Sequence, residues 1–205
     1  MKLYYAPGAC SIGIHVLLEE IGKPYEPVLL NIREGAQFKP EFTGLNPKSK
    51  VPTLVRDNGA VLTEYPAIAL YLATTNPEAR LLPQGPDRLA EALEVTDYCV
   101  ATMHMQGFSR IFRPANYAPS EADHPAVKAK GEEIFAKGLG VVDRALAGKD
   151  YIAGDYSFAD SALFYVSFWW NGRLKKELPA NVAAHYARMN ARPAVQRVLK
   201  DEGLA

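Results

Sequence analysis

A cysteine stands near the start of the chain, where a short strand is predicted to give way to a helix. Cys10 follows Gly8–Ala9, and the apolar run Leu3–Tyr5 lies just before them. This pattern predicts a strand, a tight turn and a helix that begins at the cysteine. A thiol at a helix start faces the positive end of the helix dipole and unpaired backbone N–H groups, and both favour the thiolate. Cys10 is therefore a candidate for a reactive sulfur, or for a residue that lies beside one.

A purely structural role for Cys10 is also compatible with the sequence. The apolar residues Ile14, Leu17 and Ile21 follow it at helical spacing. A cysteine on the same stripe can be a small core residue, since free cysteine behaves as a small hydrophobic side chain. Both interpretations stay open at this point.

Composition excludes several classes of function. The 205 residues suggest one large or two small domains. Lys+Arg and Asp+Glu both number 23, so the basic excess that is typical of nucleic-acid binders is absent. No apolar run approaches the roughly 20 residues of a membrane span, and no signal peptide is visible. The only cysteines are Cys10 and Cys99, which favours a reducing, cytoplasmic location. No Cys/His spacing resembles a zinc site, so we expect no metal.

The first third of the chain alternates strand and helix patterns. The predicted segments are strands at 3–5, 28–30, 51–55 and 61–62, and helices from 11, within 33–46 and from 63. Their order is β-α-β-α-β-β-α. We expect the first βαβ unit to be parallel and the last two strands to form an antiparallel hairpin.

Only helical patterns follow a proline-rich linker at 77–86. Helices are predicted at about 87–117, 127–146, 163–170 and 182–189, and after Pro193. Ser157 and Asp160 fit a capping box ahead of the most apolar of these helices.

Four motifs give the chain its resemblance to a known family. They are the opening segment Met1–Ser11, Asn46–Lys48 ahead of Val51–Leu54, Leu62–Glu64, and the box Ser157–Asp160. In this order and spacing they resemble the glutathione S-transferase superfamily, and the bacterial beta class most of all. The resemblance implies an α/β plus all-α fold. A thioredoxin-like domain at 1–76 would bind glutathione, 77–86 would be the linker, and an all-helical domain at 87–205 would line the electrophile site.

The resemblance also implies which residues surround the glutathione sulfur. Cys10 would sit beside that sulfur and could form a mixed disulfide with it. Ser11 is the fallback, because related classes use a serine hydroxyl here, although a first-turn cap is the plainer interpretation. Tyr5 matches a position near the sulfur, although a tyrosine in a first strand is more often core. Val51–Pro52 would have a cis peptide bond and present backbone groups to the cysteinyl part of glutathione.

Further residues are assigned to the two ends of glutathione. Glu64 and Tyr65 would hold the γ-glutamyl end, although the family usually has serine or glycine where Tyr65 stands, and acids are common in first turns. Lys50 could reach the glycine carboxylate. Met105 stands where the beta class often has a histidine, and His104 is one position away, which is about 100° around a helix.

The leading hypothesis is a cytoplasmic glutathione S-transferase, a homodimer that takes part in detoxification. Glutathione would be its co-substrate, and it would conjugate the glutathione thiolate to a small electrophile. Neither nucleic acid nor a membrane is an expected partner. One alternative is a glutathione-dependent thiol-disulfide oxidoreductase or peroxidase that uses Cys10. Another is a non-catalytic interaction module with this fold.

Overall fold

The computed structural model describes all residues, 1–205, and divides them into two compact units. The first unit comprises residues 1–82 and 188–205, and the second comprises residues 83–187. The sequence prediction placed the whole of 87–205 in one helical domain. The structure instead groups 188–205 with the first unit, because the last helix packs against the first one.

A four-stranded sheet forms the centre of the first unit. Its strands are β1 (Lys2–Tyr5), β2 (Glu26–Leu29), β3 (Thr53–Val55) and β4 (Val61–Thr63). Their order across the sheet is β2-β1-β3-β4. Strand β1 pairs with β2 in parallel and with β3 antiparallel, and β3 and β4 form an antiparallel hairpin. The predicted order and directions are therefore confirmed, with β2 two residues earlier than expected at its start.

The helices of the first unit cover that sheet. They are α1 (Ser11–Ile21), the short α2 (Pro40–Thr43), α3 (Tyr65–Thr75) and, at the end of the chain, α9 (Pro193–Asp201). Residues 11–18 of α1 are all buried. Gly22 ends α1 in a left-handed conformation, φ 69°, and its N–H donates to the Leu18 carbonyl. Glycine adopts this conformation without a steric cost, which explains why the helix stops there.

The second unit is helical. Its regular segments are α4 (Pro86–Asp97), a π-helical stretch (Tyr98–Phe108), α5 (Ser109–Phe112), α6 (His124–Ala145), α7 (Phe158–Ser167), a second π-helical stretch (Phe168–Arg173) and the start of α8 (Ala180–Asn190). The single helix predicted at 87–117 ends at Phe112 instead. Helix α6 begins three residues earlier than predicted, because Pro125 is tolerated in a first turn, where its missing N–H has no intrahelical partner.

Helix α7 lies in the core of the second unit, since all ten of its residues are buried. The predicted capping box at its start is confirmed. The Asp160 carboxylate accepts hydrogen bonds from the backbone N–H of Ser157 at 2.8 Å and of Ile152 at 3.0 Å. No helix of the protein combines the length and the apolar character that a membrane crossing needs.

Candidate functional site

The turn between β1 and α1 is held closed by Ser11. Its hydroxyl accepts a hydrogen bond from the Ala6 N–H at 3.2 Å and lies 3.3 Å from the Ala6 carbonyl, to which it can donate. Gly8 lies inside this turn with φ 62°, a conformation that favours glycine. Ser11 is fully buried. Its contacts therefore favour the structural interpretation of Ser11 over a direct role at the glutathione sulfur.

Cys10 is the residue that precedes α1, as the sequence predicts. Its Sγ lies 3.3 Å from the carbonyl oxygen of Val51, to which the thiol donates. Part of the residue remains accessible to solvent. The second cysteine, Cys99, is fully buried. Of the two cysteines, only Cys10 retains exposed surface.

The predicted preference of Cys10 for the thiolate is opposed by its burial. Burial of the sulfur among protein atoms raises the pKa of Cys10 to about 12. The backbone N–H groups of Cys10 and Ser11 and the positive charge of Lys50 lower this pKa, while the charge of Glu64 raises it. The helix start acts in the predicted direction, but desolvation of the charged form outweighs it.

The loop that carries Val51 is organised by Asn46. The Asn46 side-chain amide donates to the Lys50 carbonyl at 2.9 Å and to the Thr53 hydroxyl at 2.8 Å. Its oxygen accepts the backbone N–H of Lys48 at 3.1 Å. Asn46 is 1% exposed, so these contacts are shielded from water. The Val51–Pro52 peptide bond is cis, which confirms what the resemblance implied.

Glu64 directly precedes α3, and its side chain is exposed. One of its carboxylate oxygens lies 2.7 Å from the Lys48 ammonium, which also donates to the Thr63 hydroxyl at 2.9 Å. Tyr65 begins α3 and is only 4% exposed. The bulk of Tyr65, which stands where the family usually has serine or glycine, therefore lies in the core.

Tyr5 points into the core of the first unit. It is 8% exposed, and its ring lies 5.1 Å from the ring of His15 on α1. Burial raises the pKa of the Tyr5 phenol, with smaller contributions from the charges of Glu202 and Asp201. These contacts favour the core interpretation. A role for Tyr5 at the sulfur stays a prediction.

His104 and Met105 lie in the π-helical stretch of the second unit, and their side chains have different surroundings. The His104 ring makes edge contacts with Trp169, at 4.7 Å, and with Tyr165, at 5.9 Å. Met105 is 41% exposed. The neighbouring Phe108 ring stacks on Trp169, with centroids 4.1 Å apart. A contact of His104 or Met105 with glutathione stays a prediction.

Three residues near Cys10 escaped the sequence analysis as individual candidates. Asn46 and Lys48 were noted only as part of a motif, although a buried asparagine in a loop is a recognisable signal for backbone hydrogen bonding. Glu202 was not noted at all. Its carboxylate accepts the Gly8 N–H at 2.6 Å and lies 2.9 Å from Nδ1 of His15. The local sequence could not reveal either contact, because Glu202 lies near the end of the chain and both of its partners lie near the beginning.

Two family profiles cover most of the chain. The profile described as "Glutathione S-transferase, N-terminal domain" matches residues 8–75, and "Glutathione S-transferase, C-terminal domain" matches residues 100–193. The chain belongs to the glutathione S-transferase family. The sequence-based expectations of this family, of its two-part fold and of a glutathione transferase are thereby confirmed. The oxidoreductase and the non-catalytic module receive no support from the relatives.

Individual relatives agree with this assignment over the full length of the transferase. Glutathione S-transferase GstA of Escherichia coli O157:H7 is 36% identical over 208 residues, with both chains fully covered. A glutathione transferase homologue from Sulfitobacter, solved with bound glutathione, has 30% identity and a TM-score of 0.91, and the match covers 100% of this chain and 98% of that one. A bacterial beta-class glutathione S-transferase of Sphingomonas chungbukensis has 31% identity and a TM-score of 0.85, with both chains fully covered.

Proposed function

We propose that this transferase binds glutathione with its sulfur beside Cys10 and conjugates that sulfur to a small electrophile. The observation that carries the proposal is the convergence of groups on the Cys10 thiol. The Val51 carbonyl lies 3.3 Å from its Sγ, and the charges of Lys50 and Glu64 both act on its pKa. Glutathione has a thiol between two charged ends, so a site for it needs groups of this kind around one sulfur.

The nucleophile in this proposal is the thiolate of glutathione rather than that of Cys10. Because burial raises the pKa of Cys10 to about 12, this thiol stays protonated near neutral pH. A protonated thiol can donate a hydrogen bond, and the S–H that now donates to Val51 could donate to a glutathione thiolate instead. Donors aimed at a thiolate stabilise it and lower the pKa of the bound glutathione.

The conjugation step follows from that arrangement. The thiol proton of glutathione passes to solvent, and the thiolate electron pair forms a carbon–sulfur bond with the electrophile. A leaving group departs with its bonding electrons or, in an addition, the electrophile takes up a proton. The protein contributes position and stabilisation of charge, which are the two largest general sources of rate enhancement for such a step.

The test of the main proposal is titration calorimetry with glutathione, followed by conjugation of 1-chloro-2,4-dinitrobenzene. Wild type, Cys10→Ser and Cys10→Ala would be compared. We expect all three to bind glutathione. Conjugation should be retained in Cys10→Ser, whose hydroxyl can still donate, and should fall without disappearing in Cys10→Ala. Absence of glutathione binding by the wild type would overturn the proposal. Loss of all conjugation in both variants would instead make Cys10 essential to the reaction and would contradict the auxiliary donor role proposed for it.

We also propose that the transferase is a cytoplasmic homodimer that removes toxic electrophiles. This rests on the family resemblance and on two cysteines that form no disulfide. Light scattering of the purified protein tests the dimer, because the chain alone has a mass of 22.5 kDa. A monomeric mass across the micromolar range would contradict it.

A further inference from the structure

Thr53 and Asn46 surround the backbone carbonyl of Lys50 with hydrogen bonds that form a closed cycle. The Asn46 side-chain amide donates to this carbonyl at 2.9 Å and to the Thr53 hydroxyl at 2.8 Å. The Thr53 hydroxyl then donates to the same carbonyl at 3.0 Å. Both N–H groups of the amide and the O–H of the threonine are thereby used. Each donor of the cycle is therefore committed to one acceptor.

The cycle is shielded from water. Thr53 is fully buried, and Asn46 is 1% exposed. Hydrogen bonds in such surroundings are stronger than in water, and a buried group that loses its partner is costly. The Asn46 side-chain oxygen is also used, because it accepts the Lys48 N–H at 3.1 Å. The Lys50 carbonyl therefore has one strongly preferred orientation.

Val51 lies between the two parts of the chain that the cycle holds. Its N–H belongs to the same planar peptide unit as the Lys50 carbonyl, so the cycle fixes that plane. On the other side come Pro52, whose ring restricts its own φ, and then Thr53, the first residue of β3. The direction of the Val51 carbonyl is thus set from both sides. This carbonyl accepts the hydrogen bond from the Cys10 thiol at 3.3 Å.

Thr53 is two residues away from the carbonyl that the Cys10 thiol contacts, and its own side-chain hydrogen bonds go to Asn46 and Lys50. We propose that Thr53, together with Asn46, is a positioning residue of the transferase. Its hydroxyl holds the Val51 carbonyl opposite the Cys10 thiol, and in this way places the backbone that receives the sulfur of glutathione. The inference rests on the glutathione site proposed above.

The experiment compares four proteins, which are wild type, Thr53→Val, Thr53→Ser and Thr96→Val. Valine has nearly the shape of threonine but no hydroxyl, whereas serine keeps the hydroxyl. Thr96 on α4 is the matched control, because it is also fully buried and its hydroxyl donates to a backbone carbonyl, that of Ala92, at 2.7 Å. Three quantities are measured for each protein: the Kd of glutathione by calorimetry, the rate of Cys10 alkylation by iodoacetamide at pH 9, and the free energy of unfolding in urea.

We expect Thr53→Val to raise the glutathione Kd roughly three- to tenfold, which is the scale of one buried hydrogen bond. The apparent affinity falls because it depends on the fraction of molecules in which Val51 has the binding orientation. Thr53→Ser should keep the Kd of the wild type, because its hydroxyl closes the same cycle. Thr96→Val should lose as much stability as Thr53→Val and leave the glutathione Kd unchanged.

Alkylation reports the position of the Val51 carbonyl without glutathione. A hydrogen bond from the neutral thiol to a carbonyl disfavours the thiolate, which is the form that attacks iodoacetamide. Displacement of this carbonyl in Thr53→Val should therefore speed the alkylation of Cys10 severalfold. The rate should be unchanged in Thr53→Ser and in Thr96→Val.

Three results would overturn the positioning role alone. One is an unchanged glutathione Kd or an unchanged alkylation rate in Thr53→Val. Another is a rise in Kd that Thr96→Val shares, which would make it a general effect of lost stability. The third is a Kd in Thr53→Ser as weak as that in Thr53→Val, which would assign the effect to packing rather than to the hydroxyl. Failure of the wild type to bind glutathione would instead overturn the glutathione site itself, and the role of Thr53 in the reaction with it.

Discussion

The carboxylate of Glu202 accepts a hydrogen bond from the backbone N–H of Gly8 at 2.6 Å, although 194 positions separate the two residues in sequence. The other oxygen of the same carboxylate lies 2.9 Å from Nδ1 of His15 on α1. Glu202 and His15 are both buried, at 5% and 1% exposure. The end of the chain thus ties down the turn that leads into Cys10 and the helix that follows it.

Loss of this carboxylate should destabilise the protein. Glu202→Ala leaves the Gly8 N–H and the His15 ring without their acceptor, and buried groups left in this way cost about 2–4 kcal/mol of unfolding free energy. Urea unfolding followed by circular dichroism measures the loss. Arg197→Ala is the control, since Arg197 on α9 donates to the Glu19 carboxylate on α1 at 2.7 Å. Equal stability of the two variants would show that Glu202 does not anchor the turn.

The pH dependence of alkylation tests the raised pKa of Cys10. The thiolate reacts with iodoacetamide, and its fraction rises about tenfold per pH unit while the pH stays below the pKa. With a pKa of about 12, the rate at Cys10 should still be rising at pH 10. Mass spectrometry assigns the modified cysteine, and Cys10→Ala gives the background. A plateau in the alkylation rate between pH 7 and 9 would mean that the helix start lowers the pKa of Cys10 by more than burial raises it.

The capping box at α7 should dominate the stability of the second unit. Asp160 is fully buried and also lies 3.0 Å from Nε2 of His185. Asp160→Ala removes the acceptor of two backbone N–H groups and of His185, at a cost of about 3–5 kcal/mol. Ser157→Ala removes only the cap hydroxyl, at about 1 kcal/mol. Thermal unfolding of both variants gives the comparison, and similar melting temperatures would contradict it.

Two glycines of α6 should respond to alanine in opposite directions. A Cβ at Gly131 would meet the Gly107 carbonyl oxygen at 2.7 Å, so helix α6 would have to move away from the π-helical stretch. A Cβ at Gly140 would meet nothing closer than 3.9 Å. Gly131→Ala should therefore destabilise by about 1–3 kcal/mol. Gly140→Ala should stabilise by roughly 0.5–1 kcal/mol, because alanine favours helix. Chemical unfolding measures both, and a stabilised Gly131→Ala would refute the contact.

Much of the site could be predicted because its parts are local in sequence. The strand, the turn glycine and the cysteine are contiguous, and alternation in β1 buries Leu3 and Tyr5. The hairpin of β3 and β4 follows from a short turn between apolar runs. The capping box formed by Ser157 and Asp160 depends on a spacing of three residues within one helical turn, so it can also be recognised from the local sequence.

The protonation state of Cys10 could not be predicted in the same way. The sequence places the thiol at a helix start, which lowers its pKa, but the opposing desolvation depends on how many protein atoms surround the sulfur. The orientation of Ser11 is another such case. Its hydroxyl turns back onto Ala6 rather than towards a ligand, and only the geometry of the turn decides this.

The sequence by itself determined the order of elements and the position of Cys10 at a helix start, because turn residues and apolar periodicity act over a few residues. It also indicated the family, through the resemblance of four motifs to known members. The tertiary structure decided how strongly Cys10 is desolvated, that Glu202 holds the Gly8 turn, and that Lys48 pairs with Glu64. These depend on residues far apart in the chain, and their distances and burial exist only once the sheet and helices have packed.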